Sequence, residues 1–259
     1  MKQIAFQFSH HVLEKDSTIA HKGQWISEER GSFPNFDFVR ALKKELEHDR
    51  GTIFRYSHHE NTVLGQIRKQ LQDSEAPDRK PLVQWIESIT EPSGKCPDPW
   101  QATRPMVDLL ELVVRFFWHP RMGGSNSMKV VLPAILEASA YLQAKYSKPV
   151  YGAPGGIKSL NYKDHTWLKR GPGGGIQDPY GALPQVFDQW ERNTLDRMYS
   201  EDELADGGAA MMAYAKMQFS EMSKAETTRI AEALLRYCEL DTLAMVMLWE
   251  GWLNLENSI

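Results

Sequence analysis

The chain has 259 residues, with 30 Lys and Arg against 34 Asp and Glu, a formal net charge of −4 and two cysteines, Cys96 and Cys238. Hydrophobic residues make up 42% and charged residues 25%, which excludes wholesale disorder and fibrous repeats and leaves ample chain to bury a core. Two cysteines exclude a disulfide scaffold or a zinc ribbon. No apolar run approaches a membrane span and the first residues lack a signal-peptide pattern, so a reducing cytoplasm and no membrane are expected. The mild acidity argues against a general polyanion binder, so a nucleic-acid partner would need a local basic patch or metal ions.

The chain opens on a predicted strand, Ile4–Ser9, where Ile4, Phe6 and Phe8 alternate with smaller or polar residues. After a polar stretch, Phe36, Val39, Leu42 and Leu46 recur at helical spacing behind Asn35, a candidate N-cap. Thr52–Tyr56 is the second predicted strand, expected to share a sheet with the first. A helix then follows from about Ser57, with Val63, Leu64, Ile67 and Leu71 as its buried stripe. Residues 73–104 read as a surface excursion around one short helix. A strongly apolar helix follows and stops at Pro120. A Gly-Ser turn and a hydroxyl N-cap then lead into another helix, with Pro133 in its first turns or kinking it. Eight of the 18 glycines fall between Gly152 and Gly181, so residues 148–185 read as a long loop or inserted flap. The last third is helical. Its longest helix is marked at the start by a capping box, Ser223 with Glu226. The expected architecture is α/β, a mixed sheet flanked by helices in one domain over 1–259, with insertions at about 73–104 and 148–185.

The chemistry is concentrated in a few carboxylates. Tyr237 and Asp241 lie four residues apart and share one face of an apolar helix, where a carboxylate needs a partner or a metal. Asp108 opens an apolar helix, a position that capping alone explains well. Glu60 follows the second strand, and Ser57 with Glu60 also fits a capping box. His58 and His59 could touch a phosphate near Glu60, although surface histidine is the simpler reading. Lys148, Lys158, Lys163, Lys169 and Arg170 are interleaved with Tyr151, Tyr162, Trp167 and Tyr180. Cations mixed with aromatics suit a single-stranded nucleic acid, as they also suit a solvated loop anchored by its rings. There is no phosphate-binding Gly-x-x-x-x-Gly-Lys loop and no Gly-x-Ser-x-Gly elbow.

Four stretches together carry a resemblance: "FQFSHHV", "RYSHHENTVL", "FFWHPRMGGSNSMKVVLPAIL" and "GGAAMMAYAKMQFS…LLRYCELDTLAMV". They resemble the DEDD (DnaQ-like) exonucleases of the ribonuclease H-like superfamily. They look more closely like a bacterial family carried as domain of unknown function 2779, whose members are predicted to be nucleases. The resemblance implies a ribonuclease H-like fold and two-metal phosphodiester hydrolysis with Mg²⁺ or Mn²⁺ at a nucleic-acid 3′ end. It places Asp241 in a Tyr-x-x-x-Asp motif with Tyr237 orienting the attacking water, makes Glu60 and Asp108 further metal ligands, and puts Ser127 and Lys129 in a Ser-x-Lys element near the substrate strand. His58, His59, Lys158 and Lys163 would be further substrate contacts. The superfamily's first motif, a strand-borne Asp-x-Glu, is absent. The one Asp-x-Glu in the chain is Asp73-Ser74-Glu75, in a polar stretch. The expectation is therefore an incomplete metal site: a chain lacking its first strand, one completed by an upstream domain or partner chain, or a degenerate member. An inactive binding or scaffold module and, more weakly, a small-molecule hydrolase closed by the Gly-rich flap are the alternatives.

Overall fold

A computed structural model describes residues 3–92, 98–183 and 209–256. Cys96 and the last two residues of the Gly-rich stretch lie outside them. The elements follow in the order β1 Gln7–Leu13, β2 Ile19–Ile26, α1 Asn35–Leu46, β3 Phe54–Arg55, α2 His59–Gln72, α3 Arg79–Ile89, β4 Val107–Asp108, α4 Leu109–Phe116, α5 Met128–Ala138, α6 Ala140–Tyr146, α7 Ala209–Phe219 and α8 Lys224–Glu256. The fold is mixed α/β with small sheets. Among the described residues, β1 pairs only with β2, and β3 only with β4. The two strands expected in one sheet therefore lie in separate two-stranded sheets. Contacts group the chain into two compact units, one of Met1–Phe8 and Ser32–Phe117, the other of Ser9–Gly31 and Trp118–Ile259.

In the first unit α2 packs on α3, and α1 packs on both. Val63, Leu64, Ile67 and Leu71 are buried, as their spacing predicts, against Leu82, Ile86 and Ile89 of α3. The stretch read as a surface excursion thus supplies part of the core. Asn35 does not cap α1, since Pro34 takes that position. Its buried amide instead accepts from the Ala5 amide at 2.8 Å and donates to Gln3 O at 3.0 Å and Gln70 Oε1 at 2.8 Å. Those bonds explain why the N-terminal segment departs from strand alternation before Gln7: Ala5 and Phe6 are both buried, while Ile4 is 44% exposed. The β3–β4 pairing is parallel, with Phe54 opposite Val107 and Arg55 opposite Asp108.

In the second unit β1 and β2 are joined by a five-residue connection, closed by Glu14 N to Thr18 O at 2.9 Å, short enough to allow only antiparallel pairing. β2 has no apolar alternation to announce it. Ile19, His21 and Gly23 face inward, and the buried His21 is made tolerable by its partners. The long helix α8 packs on α5, α6, α7 and β2. Its capping box forms as read from the sequence: Ser223 N donates to Glu226 Oε2 at 2.9 Å, and Glu226 N to Ser223 Oγ at 3.3 Å. Leu240, Leu243, Met247 and Leu248 on α8 are 0% exposed, each worth about 1.5–3 kcal/mol of burial. No helix of the described residues is long and apolar enough to cross a membrane.

Candidate functional site

The helix α8 carries two polar groups on different sides of its axis, because residues two apart on a helix project about 200° from one another. One side presents Tyr237 and Asp241. The short turn Tyr180–Ala182 brings Tyr180 against them, and its hydroxyl donates to Asp241 Oδ1 at 2.9 Å. The Tyr180 and Tyr237 rings are 5.9 Å apart at 56°. Lys129, in the first turn of α5, places its ammonium 5.6 Å from the Tyr237 ring centre and 5.9 Å from that of Tyr180. Three segments far apart in sequence thus meet around one carboxylate. Burial pushes the Asp241 carboxyl up to about 7, against the opposing pull of the Tyr180 hydrogen bond and the Lys129 charge. Burial and the Asp241 charge likewise hold the Tyr180 hydroxyl well above its ordinary value.

The other side presents Glu239, which is fully buried. Its carboxylate accepts from His21 Nδ1 at 2.9 Å, Tyr151 OH at 2.6 Å, Ser159 Oγ at 2.6 Å and Asn161 Nδ2 at 2.7 Å. A buried charge is tolerable only with such a set of donors. Those donors, His21 first, hold the Glu239 carboxyl down at about 2, although burial, the largest influence on it, pushes the other way. A second layer stands behind them: Ser9 Oγ lies 2.9 Å from His21 Nε2, and the His11 ring stacks on His21 at 4.9 Å.

The first unit holds the other predicted ligands. Asp108 caps α4: its Oδ1 accepts from Leu110 N at 3.0 Å and from Ser57 N at 2.8 Å, and its Oδ2 accepts from Arg55. The capping reading of Asp108 accounts for the first of these bonds, and the other two tie its carboxylate to Ser57 and Arg55. The capping box read between Ser57 and Glu60 does not form. Ser57 takes a φ of 77°, its amide is committed to Asp108, and α2 starts at His59 with no side-chain cap. Glu60, His58 and His59 are exposed around the first turn of α2. Ser127 stands at the N-cap of α5 without a side-chain cap bond, and Lys158 and Lys163 are exposed on the Gly-rich segment.

Of the predicted residues the structure therefore brings together Tyr237, Asp241 and Lys129 in the second unit, whereas Glu60 and Asp108 belong to the first. The sequence reading missed Glu239 and His21, and it named Tyr180 as an aromatic of the Gly-rich stretch without its partner Asp241. Glu239 could have been found by the same argument as Asp241, as a carboxylate inside an apolar helical run. Among the described residues no three His, Cys, Asp or Glu side chains gather as a metal-holding group. A divalent cation at Asp108 would have to displace Arg55. The described residues thus do not fit the Mg²⁺ or Mn²⁺ pair that the resemblance implies.

A family described as Domain of unknown function (DUF2779) matches residues 1–127. No curated protein and no solved structure matches the chain.

Proposed function

We propose that the chain is a phosphodiester-handling protein of the DEDD exonuclease type, in a ribonuclease H-like fold, and that it engages a nucleic-acid strand with a free 3′ end at the Lys129–Tyr180–Tyr237–Asp241 cluster. The observation that carries this reading is the convergence of Lys129 with the Tyr237/Asp241 pair. A cation beside two aromatic rings supplies a phosphate contact and stacking faces, the two elements of single-strand binding. Asp241 is the carboxylate beside them, and in this reading Tyr237 is the hydroxyl that orients a water. Hydrolysis of this type draws on Mg²⁺ or Mn²⁺ held by several carboxylates, so this chain unaided binds its strand better than it cuts it. A second reading, a nuclease-fold module that binds without cleaving, is favoured by Asp108, whose oxygens already serve a helix cap and an ion pair.

The test pairs binding with cleavage. A 5′-labelled single-stranded oligonucleotide with a free 3′ end is titrated with the chain in EDTA, then incubated with it in Mg²⁺ or Mn²⁺. Binding is expected, weakened about tenfold in Lys129→Ala, a loss of about 1.4 kcal/mol, with cleavage no faster than background. Absence of binding overturns the proposal. So does rapid metal-dependent cleavage that persists in Asp241→Asn.

A further inference from the structure

The segment from Tyr151 to Lys163 carries two exposed lysines, yet it is built as a fixed platform. Tyr151, Ser159 and Asn161 all donate to the buried Glu239 carboxylate. Lys158 is bonded into the hairpin through its backbone, with His21 N donating to Lys158 O at 2.9 Å and Ala20 bridged to Lys158 in parallel. Gly152 holds a φ of 74°, and a Cβ there would meet Tyr162 O at 2.1 Å, so only glycine lets the start of the segment close on its end. The Tyr162 ring then packs against Trp167 at 4.9 Å and His165 at 4.8 Å. Lys158 and Lys163 leave this platform as exposed side chains.

From this we infer that Glu239 is a positioning residue for nucleic-acid binding: by pinning the segment to α8 it holds Lys158 and Lys163 as a second phosphate-contact point for the strand engaged at Lys129 and Asp241. The inference rests on the proposed nucleic-acid reading and adds a second contact to it. The two contact points lie on different sides of α8, a helix about 10–12 Å across with its side chains. On this inference a strand of several nucleotides spans both points where one short fragment occupies one, in keeping with site sizes of about 4–16 nucleotides for single-strand binders. Lysines fixed beforehand on a rigid segment also lose less freedom on binding than lysines on a mobile loop.

The experiment measures affinities of single-stranded trimers and dodecamers for the whole chain, across a salt series. The wild type should bind the dodecamer far more tightly than the trimer. Its dodecamer salt slope should be about −2, the value for roughly three phosphate contacts at about −0.7 each on a single strand. Lys158→Ala with Lys163→Ala, both exposed and safe for folding, should leave the trimer affinity unchanged, weaken the dodecamer at least tenfold and flatten its slope to about −0.7. Glu239→Gln should reproduce that length-selective loss, where general unfolding would weaken both lengths alike. If Glu239→Gln does not fold, Ser159→Ala and Asn161→Ala each remove one donor and should give a smaller loss of the same kind. Wild-type affinity that does not rise with length, or a double variant that weakens both lengths equally or neither, overturns the inference while leaving the functional reading standing. No binding at either length overturns both.

Discussion

His11 is held neutral by its surroundings. The Glu239 carboxylate can only accept, so Tyr151 donates to it, and the Tyr151 oxygen then accepts from His11 Nε2 at 2.8 Å. His11 Nδ1 is left to accept from the Thr242 hydroxyl at 2.8 Å. Burial first, then the neighbouring His21, depress His11 to about 3. Between pH 6.5 and 3 the unfolded chain therefore takes up a proton that the folded chain refuses. The stability involved is complete above pH 6.5 and is lost as the pH falls through that window. Urea unfolding at pH 7, 5.5 and 4 should show the wild type losing on the order of 1–3 kcal/mol by pH 4. His11→Asn should show a flatter dependence over the same range, and equal slopes for the two proteins would refute the assignment. At this scale the sequence was partly legible. The Asp108 cap was readable because capping is local chemistry. Tyr180 and the Glu239 donors were not, because their partners lie 61 or more residues away along the chain.

The element that organises the second unit is α8, and its fit depends on Gly251. A Cβ at Gly251 would lie 2.6 Å from Ile135 Cγ1 on α5 and 3.1 Å from Leu142 Cδ1 on α6. Alanine gains about 1 kcal/mol in helix propensity there, but overpacking a filled core costs about 1–3 kcal/mol, and Ile135 and Leu142 are 0% exposed. Gly251→Ala should therefore be about 1 kcal/mol less stable than wild type, and Gly251→Val less stable again, by urea denaturation. A more stable Gly251→Ala would show that the three helices can separate without cost. The helices were legible in the sequence where an apolar stripe was clear, as Val63, Leu64, Ile67 and Leu71 are on α2, or where a cap was, as the Ser223/Glu226 box is on α8. The strands were legible only in part: β3 falls inside the predicted Thr52–Tyr56 and β1 overlaps the predicted Ile4–Ser9, but β2 and the pairing of the strands were not. β2 buries His21 and Gly23 instead of a row of aliphatics. β3 is only two residues long, fixed by a parallel partner more than 50 positions away.

Over the whole molecule, a formal net charge of −4 means that no general attraction draws a polyanion to this chain. The nucleic-acid binding proposed above therefore has to be local, and what the second unit offers it around α8 is the Lys129 ammonium beside the Tyr180 and Tyr237 rings. The match to Domain of unknown function (DUF2779) covers residues 1–127, so the cluster that carries the functional reading lies beyond the matched region and stands on its geometry. The central claim is that a strand end sits at that cluster. The most direct measurement is photo-crosslinking of a single-stranded oligonucleotide with a photoreactive base at its 3′ terminus, followed by mapping of the attached peptides by mass spectrometry. The account predicts attachment to the peptides bearing Lys129, Tyr180 or Tyr237, abolished by an excess of unlabelled strand. Attachment confined to the first unit, or spread over the surface and indifferent to competitor, would contradict it.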